Sequence, residues 1–177
     1  MSKGSTTPTT RRVAGAAFVA TAAMAGVMIP AATSSAEPPL CAIHVLDPST
    51  RERPSDSPGQ GKLEVTLTNT AQQACAVQGF LRIDLIGPED PTFGPAYQLP
   101  HQEGEPARLT VEPGGAVSSL ITYLPGGQDG WVPETIVVTP RDIYNQLETP
   151  WPAGVSVQRQ DGATHPGTYV GPLLPAS

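Results

Sequence analysis

Apolar and polar residues alternate in short runs along much of this chain, and turn-forming residues separate the runs. Over residues 62–69 (KLEVTLTN), Leu63, Val65 and Leu67 alternate with Glu64, Thr66 and Thr68. That period of two predicts a strand with one face in a core and one in water. Residues 79–86 (GFLRIDLI) repeat it, with Leu81, Ile83 and Leu85 inward and Arg82 and Asp84 outward. Leu109 and Val111 flank Thr110 in a further strand, which runs into Glu112-Pro113-Gly114-Gly115. Pro followed by Gly suits a type II turn. Residues 116–124 (AVSSLITYL) form the next strand, closed by Pro125-Gly126-Gly127. Shorter strands are expected at 135–139 (TIVVT), 154–158 (GVSVQ) and 168–171, and a first one at 41–46 (CAIHVL). A sustained apolar period of 3.6 is missing; residues 142–147 predict at most one helical turn. The Pro-rich, polar stretch 47–61 (DPSTRERPSDSPGQG) reads as a mobile loop, and the tail after Pro172 as a fraying end. Short strands with frequent turn signals predict an all-β fold, an antiparallel β-sandwich of immunoglobulin-like type.

The N-terminus follows a different pattern. Residues 1–12 carry Lys3, Arg11 and Arg12 and no acid, and residues 13–32 (VAGAAFVATAAMAGVMIPAA) are apolar. Thr33-Ser34-Ser35-Ala36 then supplies small residues, completing the pattern of a secretory signal peptide. The expected cut falls between Ala36 and Glu37, with helix-breaking Pro30 just ahead of it. The run could just span a bilayer, but it is mostly Ala and Gly and has no Leu, which suits a signal better than an anchor. Leu40 directly before Cys41 argues against a lipid anchor. Arg11-Arg12 lacks the bulky residues that usually follow a twin-arginine pair, which favours general secretion. The expected organisation is a signal peptide over 1–36 and one secreted domain over 37–177, extracellular or held in the cell wall.

Export changes the charge balance. All 16 acidic residues lie after Ala36; removing Lys3, Arg11 and Arg12 leaves seven basic residues of ten, and a net charge of −9. So acidic a domain repels phosphate backbones and anionic head groups, so neither nucleic acid nor, after cleavage, a membrane is an expected partner. The two cysteines, Cys41 and Cys75, are expected to form one disulfide outside the cytoplasm. Closing a loop of roughly 35 residues would stabilise the fold by about 3–4 kcal/mol.

These residues carry a resemblance. Cys41, a strand ending Leu67-Thr68-Asn69-Thr70, then Cys75-Ala76-Val77-Gln78-Gly79-Phe80, resembles the actinobacterial secreted family known as domain of unknown function 4232. The family's later Leu-x-x-x-Pro-Gly-Gly segment corresponds to Leu109-Thr110-Val111-Glu112-Pro113-Gly114-Gly115. The strand at 135–140 and Trp151-Pro152 also fit, so the resemblance spans roughly Cys41 to Leu173. Leu81, where members usually soon have Pro, and the lack of a third cysteine depart from the pattern. The resemblance implies a sandwich fold and an extracellular or envelope setting, and it implies no activity.

Candidate chemistry is sparse. His44, His101 and His165 have no ligand spacing among them, and no metal or other cofactor is expected. Glu89-Asp90, Glu103 and Glu105 read as solvated acidic loops without a calcium pattern. Ser118-Ser119 lies mid-strand with no nucleophile elbow around it. Neither a phosphate loop nor a dinucleotide fingerprint is present, so an enzyme is not expected, an envelope hydrolase being the distant alternative. Aromatics are few, and Trp131, Trp151 and Tyr144 in expected loops are the candidate binding surface; Tyr97 is also placed in a loop. The expected function is a monomeric, non-catalytic binding module for a protein or an envelope glycan. The alternative is a structural or accessory envelope domain with no specific ligand.

Overall fold

The computed structural model describes Gly4 and residues 36–105, 107–128 and 130–176. The expected signal peptide, Gly4 and Ala36 apart, lies outside the described residues. The folded unit, Ala36–Ser177, is all-β. In chain order its strands are β1 (Leu46–Arg53), β2 (Gly61–Asn69), β3 (Cys75–Gly79), β4 (Arg82–Ile86), β5 (Ala96–Gln98) and β6 (Ala107–Val111). They continue with β7 (Ala116–Tyr123), β8 (Thr135–Thr139), β9 (Leu147–Pro150), β10 (Tyr169–Val170) and β11 (Leu174–Pro175).

One sheet runs β1-β2-β7-β10, with β11 also on β7; a second runs β5-β4-β8-β9; β3 and β6 form a separate ribbon. All these strand pairs are antiparallel. The predicted alternation builds the core between the sheets as a sandwich. Leu63, Val65, Leu67, Val117 and Ile121 of the first sheet bury against Leu81, Ile83, Leu85, Ile136 and Val138 of the second layer. At about 1.5–3 kcal/mol for each fully buried side chain, this shared core is the main source of stability.

The ribbon closes one end. Leu40 pairs alongside Ala76 in parallel, the Ala76 N–H donates to Pro39 O and the Cys41 N–H donates to Ala76 O. Cys41 and Cys75 are joined by the expected disulfide, both buried. The turn at 112–115 is type II as expected: Gly114 has φ 72° and the Gly115 N–H donates to Glu112 O at 2.8 Å.

Several expectations are corrected. Residues 43–45 form a 3-10 turn and the first strand is β1, so Asp47 to Arg53 is paired strand and not mobile loop. It escapes the alternation test because it is an edge strand on which only Leu46 is buried. Thr70 N–H bonds Val45 O, which places Asp47, Ser49, Arg51 and Arg53 in the bonded register with β2. Pro48 therefore directs its missing N–H away from the sheet, as an edge allows. Glu64 and Asp84, expected in water, are buried beneath arginines: Glu64 meets Arg51 at 3.0 Å and Asp84 meets Arg82 at 3.0 Å.

The run 79–86 is broken at Phe80-Leu81 into β3 and β4. Residues 154–158 supply one bridging residue, Val157, tied to Pro125 and Trp131. Residues 142–147 make no helical turn: Asp142 has φ 63° and Leu147 already begins β9. The C-terminal tail is held: Leu173 is buried and β11 pairs with β7.

Candidate functional site

β4 and β5 form one side of a concave surface. They pair from Ile86 and Ala96 to Asp84 and Gln98, and the Leu99 N–H extends the ladder to Ile83 O. The chain then changes partner. The Val170 N–H donates to Pro100 O, and the Gln102 N–H donates to Val170 O. Val170 also pairs with Ile121 of β7, so residues 96–102 stitch the two sheets together. His101 sits at this crossing, its ring stacked on Phe80 with centroids 5.0 Å apart. Its Nε2 lies 3.2 Å from Leu81 O; a carbonyl only accepts, so Nε2 carries the proton and Nδ1 is the nitrogen left for a ligand.

Three bays meet at His101. The first, about 450 Å³, lies between Tyr97, Gln98 and Arg82 on one side and Gln160, Asp161 and Gly162 on the other. The second, about 760 Å³, runs from His101 and Glu103 to His165 and Tyr169. The third, about 350 Å³, is walled by Phe80, Arg82, Thr139 and Arg141. The first and second share Pro100, His101, Ala163 and Pro166; the first and third share Arg82 and His101. Together they make one trough with a mixed polar and apolar lining.

Its wall at 159–168 is set by two side chains. Arg159 is 3% exposed and makes a two-pronged contact with Asp161, at 3.0 and 2.9 Å. It also donates to Gly94 O, Ala96 O and Phe93 O at 2.6, 2.7 and 3.1 Å. Its guanidinium lies 5.2, 5.4 and 4.8 Å from the ring centres of Phe93, Tyr97 and Trp131. A planar fork with five donors can satisfy carbonyls, a carboxylate and aromatic faces at once, which an ammonium cannot. Gln160 Oε1 accepts the Gly167 and Thr168 N–H groups at 2.7 and 3.1 Å. Tyr97 is buried below, and burial pushes its phenol pKa up.

The expected aromatic surface does not assemble. Trp151 is 4% exposed, packs edge-on against Tyr123 at 5.3 Å and donates its Nε1–H to Val155 O. It belongs to the core and not to a binding surface. Trp131 is half-buried on Arg159, with its Nε1–H on Pro88 O. Tyr144 is fully exposed, near the end of β8 at Thr139, whereas Trp131 precedes its start at Thr135. The strand between separates the two ends by roughly 14 Å. Tyr97 is a buried strand residue and not a loop residue.

His101 and His165, far apart in sequence, line the same bay. His165 Nδ1 lies 3.2 Å from its neighbour Thr164 Oγ1. Among the described residues no group of three or more His, Cys, Asp or Glu is placed to hold a metal ion. Sequence reasoning missed Arg159, Gln160 and the trough. The Arg159 cluster draws on three separate stretches, 93–97, Trp131 and 159–161, and no local pattern links them.

Residues 41–171 match the family described as Domain of unknown function (DUF4232). No curated protein and no solved structure matches the chain.

Proposed function

Starting from membership of the DUF4232 family, to which this chain belongs, we propose that the domain is a secreted, non-catalytic binding module of the cell envelope or extracellular space, and that the trough around His101 is its ligand site. The observation that carries this reading is the trough itself. Three bays open from one residue where the sheets are stitched together, and their walls are fixed by buried polar anchors before any ligand arrives. A site that is already ordered loses little conformational entropy on binding. Its lining mixes apolar surface with side-chain donors and acceptors, which suits an extended ligand that carries both, as a peptide or a glycan does. A catalytic reading has less support. His101 gives one nitrogen to a backbone carbonyl, and among the described residues no third group orients the Thr164–His165 pair.

The test is retention of the purified protein, disulfide intact, on cell-envelope fractions and on secreted proteins of the producing cells. Retention that H101A and Q98A weaken at equal folded fraction is the expected result. Absence of retention by folded wild-type protein would leave the structural role as the better reading.

A further inference from the structure

The third bay differs from the rest of the surface. Of the seven basic residues after Ala36, most are committed elsewhere. Arg159 is spent on carbonyls and Asp161, Arg108 on Gln78, Pro38 O and Glu37, Arg51 and Arg53 on Glu64, and Lys62 on Asp56. Arg82 and Arg141 instead line one small cavity together with His101. Arg82 gives Asp84 its Nε and Nη2 and stays 57% exposed. Arg141 is 61% exposed; its nearest carboxylate, Asp142, is 4.0 Å away and already accepts a 2.7 Å bond from Gln78. Among the described residues Arg141 makes no hydrogen bond, so its fork is free. The Thr139 hydroxyl in the same wall is buried and has no hydrogen-bond partner. A buried hydroxyl without a partner is costly unless something completes it.

The loop that carries Arg141 is held in place. Residues 140–143 form a turn closed by the Ile143 N–H on Pro140 O at 3.3 Å, with Asp142 in the left-handed region at φ 63°. Backbone strain of this kind persists where surrounding contacts over-determine it. Those contacts are a polar chain: Arg108 donates to Gln78 Oε1 and Gln78 donates to Asp142, both at 2.7 Å. The next residue but one, Tyr144, projects its ring wholly into solvent.

We infer that this bay binds the carboxylate of an acidic sugar, with Arg141 and Arg82 as the charged donors and Thr139 and His101 as polar neighbours, and with the Tyr144 ring as a platform for the apolar face of the adjoining sugar. This rests on the proposed binding role and specifies its ligand as an anionic glycan. Arginine forks match carboxylate geometry with two parallel bonds. An exposed aromatic residue directly after Ile143, which lines the bay, favours a sugar ring over a flexible acidic side chain. Asp142 repels a second anion, so one carboxylate per bay is the expected stoichiometry.

The experiment is calorimetric titration of the purified, disulfide-bonded protein with oligogalacturonate, with the carboxyl-reduced neutral oligosaccharide, and with an oligoglutamate peptide. The expected result is binding of oligogalacturonate alone, weakened about tenfold or more by R141Q, the loss of a charge-assisted bond. Y144A should weaken it by a smaller factor. R82Q risks unfolding because it strands buried Asp84, so the double change R82Q/D84N replaces it, with the thermal midpoint recorded. Equal binding of the neutral sugar, equal binding of the peptide, unaltered affinity in R141Q, or binding of none of the three would each overturn the inference. Envelope retention separates the two readings: wild-type retention with no oligogalacturonate binding sinks the carboxylate site alone, and no retention sinks both.

Discussion

Asn69 uses every polar group it has. Its Nδ2 donates to Gln73 O and Val111 O at 2.9 Å, and its Oδ1 accepts the Ala71 N–H at 3.0 Å. Its main-chain N–H and carbonyl bond Gly115 and Gly114. One fully buried side chain thus ties the turn after β2 to the turn before β7. N69A should cost about 2–4 kcal/mol in urea unfolding, since it leaves buried carbonyls without donors. N69D, which faces those carbonyls with an acceptor, should cost at least as much; a change within about 0.5 kcal/mol for either would refute the role. The family resemblance pointed to this Asn, and its hydrogen bonds give the reason. Nothing local pointed to Arg159, because all its partners except Asp161 are 28 to 66 positions away. Tyrosines make a second residue-scale prediction. Burial raises the pKa of Tyr97 and Tyr123 above the ordinary 10.0. Above that value the unfolded chain loses these protons while the folded one keeps them, so stability should fall as pH rises past 10.0. Y97F and Y123F together should flatten that decline in thermal midpoints; an unchanged slope would exclude the tyrosines as its cause.

At the level of elements, strands buried on one face were legible and edge strands were not. β2, β7 and β8 carry inward Leu, Val and Ile at every second place or in a continuous apolar run, and their positions follow from that. β1 is an eight-residue strand reading LDPSTRER, a sequence that looks like a loop because its partner sheet buries so little of it. β5 and β9 are short edge strands of three and four residues, too short to show a period. The ribbon of β3 and β6 has only two strands, so it depends on its contacts with the core and on its staple. C41S/C75S should therefore destabilise the domain by about 3–4 kcal/mol. The loss should first appear as faster amide exchange along β3, β6 and residues 39–41, ahead of β2 and β7. Uniform loosening of every strand would mean that the disulfide acts on the unfolded chain alone.

At the scale of the whole molecule, the sandwich and its disulfide could be read from the chain, and the trough could not. Its walls come from Phe80, Arg82, His101, Arg141, Gln160 and His165, which share no spacing. They meet because residues 96–102 leave one sheet for the other, a change of partner that no periodicity encodes. The aromatics singled out by their rarity divide for a physical reason. Trp151 fills the core, Trp131 covers Arg159, and of the three Tyr144 alone is left to the solvent, next in sequence to Ile143 of the third bay. The measurement that tests this account most directly is an amide-exchange footprint of the protein bound to the envelope material that retains it. The account predicts protection at residues 98–103, 139–144 and 160–169, with the outer face of β1 and β2 unchanged. Protection confined to that outer face, or to residues 88–94 and 125–131 around Trp131, would contradict it.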